Sequence, residues 1–498
     1  MATMWNGLSF KFSEESYVTL IITLAITVLW LLWSVSNYFR NQNQPPLPPG
    51  SFGFPFIGQT VDFALAYRTS DGIERWVQKK IDKHGPVFKW RFLGFPIVMM
   101  DQPEGNRFIF QNEGTSHHTF WLSHLSTLLG PDSLITLPGE RHKLARRYFN
   151  KFLDHTAMSR YLPGVNRSTI RHFAKHWQGK DQVVGSDMTH LYTCSTICNL
   201  VMTLEEGPLM DKFLLQFRTW EKGFSSLPIN LRGFQYYKAV KARKMICEML
   251  DGLLEQRRKE IAEDNVSNAS KVDILNNLLT VPDENGNLLP DSYIKDNLLL
   301  MLFAGFGTSS STLAMVIYYI AKNPHVYKEI VQEHKLILEE KYASGKDDDS
   351  LTMEDISAMK YTWRVIKETL RFQPVVQPGN PRKTVTNLEY RGYYIPKGWL
   401  LMWNQFSHKN PKYFSNPLKF DPSRWETPPA LYTFVPFGGG PHRCLGMEFA
   451  KMEMLVFIHH LVRRYSWSLK DPNGLIIRDP FPRTFDKSLI TVKEIVSL

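Results

Sequence analysis

Hydrophobic positions along the chain follow three patterns. The first is a run of 24 residues without a charge, residues 16–39, with YVTLIITLAITVLWLLW at its centre. A helix of that length reaches about 36 Å, enough to span the hydrocarbon of a bilayer. Trp30, Trp33 and Tyr38 lie toward its end, where aromatic rings meet the headgroups. The run is too long for the apolar part of a cleaved signal, and no small-residue cleavage site follows. One membrane anchor is therefore predicted over residues 1–40. Lys11 before the run and Arg40 after it leave its direction open. Next comes QNQPPLPPGSFGFPFIG, where four prolines in five residues favour stiff, extended backbone. Residues 41–58 are read as a rigid spacer.

The second pattern places apolar residues at threes and fours and predicts helices near 237–262, 292–322, 323–341 and 353–372. The third is a scatter of short strand-like pieces, FPIVMM (95–100), LEYRGYYI (388–395) and SLITVKEI (488–495). GKDDDS (345–350) reads as a solvated loop. No regular strand–helix alternation supports a doubly wound sheet. The expected class is mainly α with small peripheral β-sheets, in one large domain over residues 59–498.

Composition narrows this little. With 498 residues, 43% hydrophobic and 21% charged, the chain buries a large core and is not disordered. A net charge of +11 suits phosphates, anionic lipid or an acidic partner without choosing among them. Four cysteines (Cys194, Cys198, Cys247, Cys444) are too few for a disulfide framework and point to a reducing compartment. Common nucleotide-binding, serine-hydrolase and zinc-protease motifs are absent. His172 and His176 stand at i, i+4 but lack the glutamate of a zinc protease and read as ordinary surface or core histidines. Three N-x-S sequons begin at Asn166, Asn265 and Asn268 and carry meaning only in a lumenal domain.

The chemistry lies in FVPFGGGPHRCLGMEFA (434–450). Cys444 follows a glycine-rich turn and directly precedes a helical run, residues 445–460. A helix N-terminus and backbone N–H groups aimed at sulfur favour the thiolate. Gly438, Gly439 and Gly440 permit the tight turn, and Gly446 lets a flat ligand approach. Phe437, Gly440, Cys444 and Gly446 fill F-x-x-G-x-x-x-C-x-G, and on that motif the chain resembles the cytochrome P-450 family, whose haem-binding signature this is. The resemblance covers nearly the whole chain. Glu368 and Arg371 in KETLR match the family's E-x-x-R helix, and Arg424 in FDPSRW matches the arginine that completes that ion network.

The resemblance implies haem b, its iron held by Cys444, with Phe437, Gly438, Arg443 and Gly446 in the cofactor loop. AGFGTSSS (304–311) resembles the oxygen-activating helix, with Thr308 at the family's threonine and Ser309 beside it as a second hydroxyl. GERHKLARR (139–147) resembles the helix that grips the haem propionates. There His142 stands where many members have tryptophan, and Arg146 follows one turn later. Arg382 in NPRKTV resembles the strand-end arginine that pairs with a propionate. Thr308 also has a plainer reading, a helix hydroxyl bonded to its own backbone. Where the family usually has an acid before the threonine, this chain has Gly307. That departure implies a proton supply through Thr308, Ser309, Ser310 or water, and imperfect coupling of NADPH oxidation to product.

The implied activity is a monooxygenase that inserts one atom of O2 into a hydrophobic substrate. No flavin or nicotinamide motif is present, so electrons come from a separate NADPH–cytochrome P-450 reductase. Anchor plus spacer resemble the microsomal class: a single-pass endoplasmic-reticulum protein with its catalytic domain facing the cytosol. No nucleic-acid partner is implied. LPPGSFGFPFIGQT and FGGGPHRCLGMEFAKMEMLVFIHHLV are similar to the plant clan that oxidises sterols and terpenoids, triterpene oxidases and taxoid hydroxylases among them. Substrate-facing segments on this resemblance are 120–129, 213–227, the stretch around Ala304, and 375–378. Two alternatives carry different signatures: a haem-thiolate isomerase or dehydratase on a pre-oxygenated lipid needs no reductase, and a membrane-anchored haem binder has no turnover.

Overall fold

Segments with apolar residues at threes and fours fold as helices around one long, almost wholly buried member. The computed structural model describes residues 24, 25, 27, 28, 31, 32, 45–69, 71–263, 273–345 and 349–495. In chain order these form α1 (Thr60–Tyr67), α2 (Gly72–His84), β1 (Val87–Phe92), β2 (Phe95–Met100), α3 (Gln102–Gln111), β3 (His117–Thr119) and α4 (Ser123–Leu129). Then follow α5 (Gly139–Leu153), α6 (His155–His176), β4 (Gln182–Val184), α7 (Gly185–Met202), α8 (Pro208–Glu221), α9 (Gln235–Glu263) and α10 (Ile274–Thr280). The central run is α11 (Asp291–Lys322), α12 (Pro324–Ala343), α13 (Met353–Ala358) and α14 (Lys360–Phe372). Small strands follow: β5 (Arg382–Thr384), β6 (Leu388–Tyr390), β7 (Tyr393–Ile395) and β8 (Leu400–Trp403). The chain closes with α15 (Met447–Arg464), β9 (Tyr465–Leu469), β10 (Ile476–Arg478), β11 (Pro482–Thr484) and β12 (Leu489–Glu494).

The architecture is mostly helical with small sheets, as the sequence predicts. Two local differences have physical causes. The helix expected over 353–372 is broken at Met359, whose ψ of 53° leaves the helical region. Glu333 of α12 supplies the new N-terminus, accepting hydrogen bonds from the backbone of Tyr361 and Thr362, the latter at 2.9 Å. The 388–395 piece is a hairpin rather than one strand. Arg391 and Gly392 both take positive φ, 51° and 77°, the turn that matches strand twist. Of the 345–350 loop, residues 346–348 lie outside the described residues.

The largest sheet has the order β1-β2-β8-β5-β3 and brings Arg382, at the start of β5, to the edge of the helical core. The others are β4-β12-β9 and the pairs β10-β11 and β6-β7. Among the described residues α11 alone is long and apolar enough to cross a membrane, and most of it is buried inside the domain. It is a core helix, apolar on nearly every side. The predicted anchor lies outside the described residues except for Leu24, Ala25, Thr27, Val28, Leu31 and Leu32, which are helical and exposed. The proline run is not a free linker. Lys89 of β1 donates its backbone N–H to Pro49 O (2.8 Å) and its Nζ to Pro48 O (2.6 Å), and Tyr394 N–H donates to Pro46 O. His172 is a buried core histidine accepting from Trp177 Nε1 at 3.1 Å, and His176 pairs with Glu206.

Glu368 and Arg371 on α14 are completely buried. Arg371 Nε and Nη2 donate to the two Glu368 oxygens at 2.9 and 2.8 Å. Arg424 Nε, Trp425 Nε1 and the Asp421 N–H complete the carboxylate's shell at 2.9–3.0 Å. Arg371 Nη1 reaches the carbonyls of His408 and Pro417, both at 2.8 Å, tying α14 to the segment that leads into the cysteine loop. Removing one partner of such a pair strands a buried charge, at a cost of about 3–5 kcal/mol. Glu368→Ala is accordingly expected to yield little folded holoprotein, measured as haem per polypeptide after purification.

Candidate functional site

The cysteine loop is held by its own backbone. Cys444 N–H donates to Phe437 O at 2.9 Å, Gly438 N–H to Val435 O, and Arg443 N–H to Gly440 O. Gly440 has φ +67°, and a Cβ there would lie 2.5 Å from Phe110 O, so only glycine fits. The helical run expected from residue 445 begins at Met447, with Gly446 as its cap. A Cβ on Gly446 would meet nothing within 4 Å, so the loop faces open space on that side. The Cys444 thiol has accessible surface although protein surrounds it deeply, which means that it faces an internal space. Burial pushes this thiol up, opposed by the Gly446 N–H and the Arg146 and Arg443 guanidiniums. A coordinating metal would ionise it outright.

At this loop the fold gathers nitrogen donors from three segments. On α5, His142, Ala145 and Phe149 are buried on one face, with Arg146 half-buried among them. His142 stacks on His442, two residues before the cysteine, with ring centroids 3.7 Å apart. Burial, with Arg146 and Arg382 nearby, pushes His142 down to about 4. Arg382 is buried and ion-paired to Glu113, its Nε 2.7 Å from Oε1. Arg146 is near enough to Cys444 for each to stabilise the other's charged form. Phe437 and Gly438 lie half-buried in the loop, Gly438 facing Trp403 of β8. The structure thus brings His142, Arg146, Arg382, Phe437, Gly438, Cys444 and Gly446 together. Arg443 is exposed in the same loop, with Nη2 3.0 Å from Met447 Sδ, and its charge favours the Cys444 thiolate. His442 and Glu113 belong to this cluster and were missed. No sequence pattern marks Glu113, and the cysteine-loop motif leaves the position of His442 open.

Ala304 and Thr308 are accessible in the middle of the otherwise buried α11, so they too face an internal space. Thr308 Oγ1 donates to Ala304 O at 2.7 Å, the plain helix-hydroxyl arrangement. Ser309, one helical step of about 100° further round, is buried against Glu453 of α15. Burial pushes the Glu453 carboxyl up to about 8, the nearby Ser309 hydroxyl offsetting this in part, while neither carboxyl oxygen makes a well-aligned hydrogen bond. Thr308 and Ser309 therefore address different surroundings. Of the 213–227 segment, Phe213, Phe217 and Trp220 are core residues. Phe224, the fourth aromatic of the segment, is partly open and stacks on Phe303 of α11 with centroids 4.3 Å apart.

An accessible thiol beside a helix N-terminus, with guanidinium and imidazole donors nearby, fits an iron porphyrin with its two carboxylates. The donor set offers one soft ligand and cations for two anions.

Comparisons with known proteins agree. The cytochrome P-450 family model matches residues 48–485. A beta-amyrin 28-monooxygenase of Vitis vinifera is 34% identical over 465 residues, covering 93% of this chain and 94% of that protein. A taxane 13-alpha-hydroxylase of Taxus cuspidata is 34% identical over 478 residues, covering 94% and 96%. Among solved structures, retinoic acid-bound cyanobacterial CYP120A1 superposes with a TM-score of 0.79 at 28% identity, covering 91% of this chain and all of that one. The chain belongs to the cytochrome P-450 family, a haem-binding enzyme of the monooxygenase class.

Proposed function

We propose that this protein is a membrane-anchored monooxygenase that inserts one oxygen atom from O2 into a terpenoid or sterol-like substrate. Electrons come from NADPH through NADPH–cytochrome P-450 reductase. The observation that carries the reading is the accessible yet enclosed Cys444 thiol, met by a helix cap on one side and by Arg146, Arg382 and His142 on the other. Two of the similar proteins named above oxidise a triterpene and a taxane by their names, which supports the substrate class.

When bound, haem supplies oxygen activation, and electron donation from a thiolate ligand favours O–O cleavage. The chain's own residues do the rest. Cys444 is the metal ligand, and the Gly446 N–H helps hold its negative charge. Arg146, Arg382 and His142 would hold the haem carboxylates, and Phe437, Gly438 and Gly446 would line the cofactor. Thr308 acts by rotating its hydroxyl from Ala304 O toward the internal space, where it orients a proton donor. Ser309 stands behind the helix, beside the Glu453 carboxyl.

The anchor occupies residues 1–40, the spacer 41–58 and the catalytic domain 59–498, with the domain on the cytosolic face of the endoplasmic reticulum. Support comes from Phe54, Phe56, Ile57, Val61 and Leu65, five exposed apolar residues directly behind the proline run. A surface of that kind beside an anchor suits a domain resting on lipid. Deleting residues 1–40 while keeping the docked prolines is expected to move most of the protein to the soluble fraction with haem retained. Sedimentation and the Soret absorbance per polypeptide check this.

The function is tested by reconstitution with reductase and NADPH on a triterpene and a taxane scaffold, read by mass spectrometry. Product that requires both NADPH and reductase and gains one oxygen from labelled O2 supports the reading. Turnover of a lipid hydroperoxide without either would make it an isomerase or dehydratase instead.

A further inference from the structure

An acid lies inside the cluster of cations that faces the haem carboxylates. Glu113, two residues beyond α3, is buried, and its Oε1 is the meeting point of three segments. Thr119 Oγ1 of β3 donates to it at 2.6 Å, Arg382 Nε of β5 lies at 2.7 Å, and His442 Nε2 of the cysteine loop lies at 3.4 Å. Its Oε2 is buried with no hydrogen-bond partner. Arg382 Nη1 donates to Asn380 O at 2.7 Å, whereas Nε lies close to Glu113 without a well-aligned hydrogen bond, so Asn380 holds the guanidinium by a hydrogen bond and Glu113 by its charge. Arg382 Nη2 makes no hydrogen bond among the described residues and is the edge left for an external anion.

Two opposed effects follow from an acid here. Its charge repels the haem carboxylates and weakens the field that Arg382 presents to them. Its contacts hold a long, rotamer-rich side chain in one orientation, and lie within reach of His442, which stacks on His142. A side chain already fixed loses no rotamer freedom when it meets the ligand. A carboxylate that served only to repel would have no reason to sit at hydrogen-bonding distance from three segments.

We propose that Glu113 is a positioning residue for the haem carboxylates: it holds Arg382 with Nη2 outward, pins the cysteine loop through His442, and lowers the reduction potential through its charge. The proposal rests on the haem-thiolate reading of this site.

The test uses the full-length holoprotein with Glu113→Ala and Glu113→Gln. Haem transfer to apomyoglobin, the reduction potential and the unfolding temperature of each variant are measured. Glu113→Ala is expected to lose haem on the order of tenfold faster, the scale typical of a residue that orients a ligand's partners. Glu113→Gln keeps an oxygen against Arg382 Nε and Thr119, so it is expected to retain haem near the wild-type rate. Its potential should nevertheless shift positive, because removing an anion near the iron favours the added electron. Haem retention by Glu113→Ala at the wild-type rate, or an unchanged potential in Glu113→Gln, would overturn the proposal. Should Glu113→Ala not fold, the Glu113→Gln potential decides alone. Absence of the thiolate Soret band in the wild type would instead sink the haem-thiolate reading, so the two failures are distinguishable.

Discussion

Replacing Cys444 with serine is expected to abolish the thiolate Soret band of the reduced, carbon monoxide-bound protein, and all turnover with it. Three features make the loss complete. The sulfur is a soft donor facing the internal space, and a serine hydroxyl at the same place does not ionise at neutral pH. No other cysteine can substitute. Cys194 and Cys198 lie in an apolar niche with Phe213, Phe217 and Phe306, and Cys247 sits on α9. The helix cap and the Gly446 N–H stay in place, so any effect is that of the sulfur atom alone. Absorbance of the reduced protein under carbon monoxide is the measurement, with circular dichroism to verify the fold. A serine variant with an unaltered spectrum would refute the ligand assignment and the proposed chemistry together.

The parts of the site that could be read from the sequence are those the chain writes locally. The cysteine loop, the Glu368–Arg371 pair and the threonine of α11 each lie within one short segment whose spacing states the geometry. What could not be read depends on contacts between distant segments. Glu113 and His442 meet across more than 300 residues, and neither sits in a pattern that marks it. Ser309 is adjacent to Thr308 in sequence, yet a helix turns each residue by about 100°, so one faces the internal space and the other Glu453. The break at Met359 has the same origin: apolar spacing runs through it without interruption, and the deciding acceptor is Glu333 on another helix. In the 388–395 piece the alternation continues across the turn, so only the positive φ of Arg391 and Gly392 reveals a hairpin. Helices and their class follow from periodicity, while their ends and facing partners follow from packing.

Gly307 is where packing most changes the reading. Sequence comparison with the family suggests restoring the acid at this position, and Gly307→Asp then looks like a way to improve coupling if its side chain fits. It does not fit. A Cβ at residue 307 would lie 2.6 Å from Phe481 Cε2 and 3.1 Å from its Cδ2. The β10–β11 turn that carries the ring is tied down on both sides, so relief has to come from rotating the ring itself. Ser311 Oγ of α11 donates to Pro482 O at 2.7 Å, and Tyr67 OH donates to Pro480 O at 3.0 Å. Overpacking of this kind costs about 1–3 kcal/mol, and an unpaired carboxylate against an aromatic ring adds to it. Gly307→Asp is therefore expected to lower the unfolding temperature and product formation and to raise peroxide per NADPH. Phe481→Ala opens the space, so adding it to Gly307→Asp should bring the peroxide yield down again, although the lost ring costs stability of its own. Thr308→Ala serves as the reference. It leaves Phe481 untouched and should raise peroxide per NADPH while the unfolding temperature hardly moves. Unfolding temperatures and the peroxide yield of all four proteins, wild type included, form the measurement. If Gly307→Asp unfolds at the wild-type temperature, contact with Phe481 is not what keeps this position a glycine. If the double variant also couples better than wild type, the ring is what excludes an acid from the oxygen-activating helix.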